Sequence, residues 1–268
     1  MSLKSLVAAA PSGRARPLLI DDSDYATAVI RQGSPIPWTD VAALTGHAGQ
    51  VQALLGPDAA WLDAAALVGA HLSVRPQLRG AMGARSRAGY ALRTLLGDDD
   101  LVEAVATTAG TIGTSGRRAL ALAVPSPGQW LGQAHDLAGT PLEGIDEDRA
   151  DTASMYLAEW LGRLGSLPVA VVLLDARGPQ GEGGVQSPEK LEHYSSITNV
   201  AGHFDWSVAI RGEASVETAG ADPAVAVLPD DFWLDGAAEV PGDGELLLTH
   251  VPATASPERV LDQLTRLR

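Results

Sequence analysis

His250 stands where the apolar run Glu245–Thr249 ends, ahead of Pro252 and the helix opening Ser256-Pro257-Glu258. An imidazole delivered at the mouth of a strand can take up and return a proton near neutral pH. Asp175 closes the apolar run Val169–Leu174 and Arg177 follows two residues later, so a carboxylate and a guanidinium emerge together at a second strand end. That carboxylate suits general acid/base work or substrate orientation; the plainer alternative is a turn or helix cap. The window Tyr194–Trp206 concentrates further functional groups. On a helix Asn199 and His203 lie four residues apart on one face, where they could hydrogen-bond a substrate carbonyl. With Asp205 and His250 they could also supply nitrogen and oxygen to a metal, but no His-Glu-x-x-His spacing is present and no metal site is assigned. Asp230 and Asp231, ahead of Phe232 and Trp233, could hold a cation or an amine, or form a solvated turn. The candidate set is therefore His250 and Asp175 for catalysis, with Asn199, His203, Arg177, Asp230 and Trp206 for substrate.

The elements that must position these residues read as strands alternating with helices. Strands are expected at Arg16–Ile20, Ala119–Val124, Pro168–Leu174, Trp206–Arg211, Ala224–Leu228 and Glu245–Thr249. Pro125-Ser126-Pro127 closes one strand and opens a helix, Asp146–Leu164 is a strongly amphipathic helix, and Ser187-Pro188-Glu189 repeats the helix-opening signature. Gly178–Gly184 has no apolar anchor and predicts a mobile loop. Before residue 115 the chain reads as mainly helical: Asp21, Asp22 and Asp24 suit the first turn of a helix through Arg31. Thr39–Leu55, Asp58–His71 (capped by Asp58), Arg75–Leu96 and Asp98–Thr111 follow, with His47, His71 and His135 on helices or helix ends and no role assigned to them. Gly110, Gly113 and Gly116 lack a lysine and precede a strand, so they mark a helix end and turn, with no phosphate loop.

With 268 residues, of which 46% are apolar, the chain fits one continuous domain, 1–268, and no apolar run approaches a membrane span. Lys4 and the short apolar run Leu6–Ala10 fall short of a signal peptide, so residues 1–16 are expected to be a flexible tail. The absence of cysteine closes thiolate catalysis and cysteine-ligated zinc and is consistent with the cytoplasm. A net charge of −14 opposes a polyanionic partner, which excludes nucleic acid. Of 19 basic residues all but Lys4 and Lys190 are arginine, the side chain suited to bidentate carboxylate recognition. A small-molecule ligand is the expected partner; an oligomer is as compatible with the composition as a monomer.

The segment Leu248-Thr-His250-Val-Pro252-Ala-Thr254-Ala-Ser256-Pro257-Glu258-Arg-Val260 resembles the closing strand, histidine loop and helix start of uroporphyrinogen decarboxylases. More loosely, the Pro125-Ser-Pro127 unit and the Pro168–Asp175 strand look like the barrel those enzymes share with cobalamin-independent methionine synthases, extending the likeness over 118–268. The resemblance implies a (β/α)8 TIM-type barrel, here with a helical N-terminal region, whose site lies at the strand C-termini with His250 in the mouth; a doubly wound α/β sheet is the alternative. It implies a lyase or methyl-group transferase acting on a small polar metabolite, against a non-catalytic ligand-binding or scaffold protein. Two departures limit it. Arg85-Ser-Arg87-Ala-Gly-Tyr90 lies too late in the chain to be the decarboxylases' arginine-rich signature, and the zinc-binding cysteines of the methionine synthases are missing. No cofactor is named.

Overall fold

A computed structural model describes residues 2–181 and 183–268. It opens with α1 (Leu3–Ala8), β1 (Leu18–Asp21), α2 (Ser23–Tyr25) running into a π-helical turn (Ala26–Ile30), and α3 (Val41–Leu55). Then come β2 (Ala60–Asp63), four helices, α4 (Ala64–Ser73), α5 (Pro76–Met82), α6 (Tyr90–Leu96) and α7 (Asp99–Gly116), and β3 (Leu120–Pro125). The second half runs α8 (Pro127–Leu137), α9 (Glu147–Arg163), β4 (Val169–Asp175), a 3₁₀ turn (Leu191–His193), α10 (Ser195–His203) and β5 (Ser207–Arg211). It ends with β6 (Val216–Thr218), β7 (Val225–Leu228), α11 (Asp231–Leu234), β8 (Leu246–His250) and α12 (Pro257–Arg266).

The α/β class and the parallel pairing follow the sequence pattern. The strands form two sheets, β7-β8-β1 and β2-β3-β4-β5-β6, parallel throughout except for the antiparallel β5–β6 pair. Strand order follows chain order within the larger sheet, so no reversal of the doubly wound kind occurs there. The ladders do not close into one barrel. Between β1 and β2 the chain makes a single backbone bond, Asp58 N–H to the Leu18 carbonyl at 2.9 Å, in place of a ladder. Asp58 does not cap a helix, as its position after Gly56-Pro57 suggests, but sits fully buried at this break. Its carboxylate accepts from the backbone N–H groups of Ser12 (2.7 Å) and Leu18 (2.8 Å) and lies 3.5 Å from Arg14 Nη1.

β2 is missing from the sequence reading because it passes into α4 without a turn. Asp63 is at once the last strand residue and the α4 N-cap, accepting from Ala66 N–H at 2.9 Å. The long helical region before residue 115 is thereby divided: α3 belongs to the β1–β2 connection, and the rest is the β2–β3 crossover, swollen to four helices. Asp40, Asp98, Asp146 and Ser256 cap their helices through the same oxygen-to-N3 contact.

Both faces of β3 and β4 are buried, which accounts for their unbroken apolar sequences. Outward residues such as Leu122, Val172 and Leu174 pack on helices from the β2–β3 and β3–β5 crossovers. Inward residues, among them Leu19, Ala121, Val171, Leu173 and Leu248, join a cluster that also contains Leu3 and Leu6 of α1. The expected tail is thus partly a helix seated in the interior: Leu3 and Leu6 are buried, and Leu3 N–H donates to Ser207 Oγ at 3.1 Å at the start of β5. The hydrophobic gain from burying two leucines is what a six-residue helix needs to stay ordered, since isolated helices of that length do not persist in water.

Two local expectations are corrected. Ser187-Pro188 opens no helix; Glu189 instead reaches back to α8, accepting from Gly128 N–H at 2.8 Å and from the hydroxyls of Ser126 and Tyr194. A carboxylate takes over the α8 N-terminus from Ser126, as the local dipole favours. The Gly178–Gly184 loop, apart from Glu182, which lies outside the described residues, is tied down by Ile145 N–H to the Gly184 carbonyl (2.9 Å) and Gly183 N–H to the Glu143 carbonyl (3.1 Å).

Candidate functional site at the strand C-termini

Parallel register lines up the chemistry. Asp21 pairs with His250 across β1–β8, and Asp175 pairs with Arg211 across β4–β5, so their side chains start at one level at the ends of their strands. Asp63 ends β2 on the same side. A cavity of about 190 Å³ opens there, walled by Asp21, Trp61, Asp63, Pro125, Asp175 and Arg177.

Arg177 grips Asp175 with a fork: Nε donates to Oδ1 at 2.9 Å and Nη2 to Oδ2 at 2.6 Å, and the Arg177 backbone N–H adds a third bond at 3.0 Å. The hydrogen bond to Asp175 holds the Arg177 guanidinium above its ordinary pKa. Its Nη2 lies 4.0 Å from Asp21 Oδ2, and Arg211 Nη1 approaches the same oxygen at 3.9 Å, too far for a hydrogen bond. Arg211 is only 4% exposed, and its Nε and Nη1 have no hydrogen-bond partner among the described residues. Burial, followed by the repulsion of Arg177, lowers its pKa. Burial likewise raises the Asp63 carboxyl above the usual range, against the pull of its Ala66 N–H bond. Buried cations without full partners are costly, so Arg211 is the group whose surroundings are least complete without a ligand.

His250 stands beside this cluster, a fifth exposed, between two carboxylates. Nδ1 lies 3.3 Å from both Asp230 oxygens and Nε2 lies 3.2 Å from Asp24 Oδ2. A neutral ring has one N–H, so only the doubly protonated form donates to both partners at once. Phe232 and Trp233, next to Asp230, are packing residues: Trp233 Nε1 donates to Thr249 Oγ1 at 2.7 Å, fixing α11 against β8.

The predicted set is thus divided. His250, Asp175, Arg177 and Asp230 reach the C-terminal mouth. Asn199, His203 and Trp206 do not, because α10 ends and β5 begins at the opposite, N-terminal end of the sheet. Asn199 and Trp206 line an open groove of about 610 Å³ there with Lys4 and Asp222, and His203 is exposed against Phe204. Their suggested union with His250 in a metal or substrate site is not formed, and among the described residues no three His, Cys, Asp or Glu side chains are grouped to hold a metal. Sequence reasoning missed Asp21, Asp63 and Arg211. For Arg211 the signal was present: an arginine closing an apolar strand, as Asp175 does one strand away. Asp21 has the sequence signature of a helix-turn acid, and Asp63 is hidden with β2.

Comparison with family models, with curated proteins and with solved structures finds no match to this chain. Among the described residues no helix is long and apolar enough to cross a membrane.

Proposed function

We propose that this chain is a (β/α)8-type barrel, split between β1 and β2, whose C-terminal mouth binds a small polar metabolite through a carboxylate and acts on it by proton transfer, as a lyase or a methyl-group transferase. The observation that carries this reading is the buried Arg211 guanidinium, whose Nε and Nη1 have no hydrogen-bond partner among the described residues, next to the cavity-wall residues Asp21 and Arg177. A ligand carboxylate would complete it with charge-assisted hydrogen bonds. Arg177, locked by Asp175, supplies the rim of that anion site. His250, oriented by Asp230, is the acid/base, and Asp63, which keeps its proton to higher pH than an ordinary carboxyl, is the neighbouring acid. The expected sign of success is a carboxylate metabolite retained by the purified chain in native mass spectra, lost from Arg211→Gln, with turnover abolished in His250→Gln. Retention by Arg211→Gln equal to that of the parent chain would remove the anion site.

A second reading, a binding protein without turnover, is favoured by one observation: His250 is absent from the walls of the 190 Å³ cavity. On that reading His250→Gln leaves metabolite retention intact and no turnover exists to lose.

A further inference from the structure

The break between β1 and β2 leaves a second cavity, on the helix side of the sheet, that the mouth does not use. It measures about 40 Å³ and is walled by Asp22, Trp38, His47 and Trp61, with Leu44 and Ile112 behind. At roughly 10–15 Å³ per water-sized probe it holds about three heavy atoms. One of its polar groups is unsatisfied, and a second lacks a counter-charge. His47 is 6% exposed and its Nδ1 has no hydrogen-bond partner among the described residues. Asp22 is 8% exposed and, among the described residues, forms no ion pair, although its neighbour Asp21 meets two arginines. Trp61 lines both this cavity and the mouth.

From this geometry we infer that the β1–β2 crevice is a binding site for a small primary ammonium group, held by the Asp22 carboxylate and the His47 Nδ1 lone pair between the indoles of Trp38 and Trp61. Each wall contributes what such a cation lacks after leaving water: a counter-charge, an acceptor and aromatic faces. A neutral imidazole with its proton on Nε2 offers Nδ1 as an acceptor, and burial together with Arg31 lowers the His47 pKa in favour of that form. An anion is disfavoured by Asp22 itself, and a bulkier ring by the volume. Burial of the Asp22 site, followed by the charge of Asp21, holds its carboxyl up to about 7 against the pull of a backbone hydrogen bond. Binding is therefore best sought above that pH.

Calorimetric titration of the full chain with ethylammonium chloride at about pH 8, against sodium chloride at equal ionic strength, tests this. Saturable binding is expected, weakened at least about tenfold in Asp22→Asn, a loss of the size a charged hydrogen bond supplies. His47→Phe, which keeps the apolar packing but removes the acceptor, is expected to weaken it as well. A second readout needs no variant: ethylammonium should shift the ¹⁵N resonance of His47 Nδ1 in the parent chain. Absence of saturable binding, equal affinity in correctly folded Asp22→Asn, or an unmoved His47 resonance at saturation overturns the site.

Discussion

The two ends of the same strands are built on opposite principles. At the N-terminal end Leu3 and Leu6 of α1 seal the interior with apolar side chains, and the buried polar contact there, Leu3 N–H to Ser207 Oγ, is satisfied. At the C-terminal end Asp21, Asp63, Asp175 and Arg177 crowd together half-buried around a cavity, and the buried Arg211 beside them is left incomplete among the described residues. One end is optimised for stability and the other forgoes it. Energetic cost concentrated at one end of a parallel sheet marks the end that serves a ligand.

Substitutions at the two ends should therefore move stability in opposite directions. The largest effect is expected for the pair Leu3→Ala and Leu6→Ala, each lowering unfolding free energy by about 2–5 kcal/mol in denaturant titrations. A change confined to a few tenths of a kcal/mol would show that α1 does not seal the interior. Next comes Asp22, which follows β1 at the C-terminal end. Its carboxyl is pushed up to about 7 in the folded chain, against an ordinary value of 3.8. Between those values the folded chain binds more protons than the unfolded one, so this contribution is full below about 3.8 and is lost as pH rises to about 7. At 1.36 kcal/mol per pH unit the ceiling is roughly 4 kcal/mol. Asp22→Asn should flatten the fall in Tm between about pH 4 and pH 7 and be the more stable protein at pH 8; an unchanged pH profile would contradict the burial of this carboxyl.

A smaller, opposite effect is expected at the mouth. Arg211→Met removes a buried, partly unpaired charge and should raise stability by about 1–4 kcal/mol, as replacement of buried ionic groups by apolar ones can do. The smallest effect belongs to Asn199→Ala and His203→Ala, expected within about 0.5 kcal/mol and without influence on ligand retention, because both side chains are exposed and remote from the mouth.

Those last residues show where the sequence misleads. Functional groups cluster in the Tyr194–Trp206 window, but a helix that ends where its following strand begins delivers them to the wrong end of a parallel sheet. What was legible had strong period or strong caps: β4, the helix opened by Asp146, and β8 with its Ser256-capped successor. What was not legible had neither. β2 is four residues with no turn before α4, α1 is too short to announce a helix, and Asp58 imitates a cap while holding the β1–β2 break. The site was half legible for the same reason: Asp175 and His250 end strands that could be seen, whereas Asp63 ends one that could not. His47 carried no signal at all, since an unpaired ring nitrogen is a property of packing.

The most direct test of the mouth is the thermal melting of the parent chain and Arg211→Met, each with and without carboxylate metabolites such as succinate, glutamate and citrate. The account predicts that Arg211→Met melts higher when empty and that a ligand raising the parent's Tm leaves the variant unmoved. A variant that melts lower when empty, yet gains as much from the same ligand as the parent does, would contradict it.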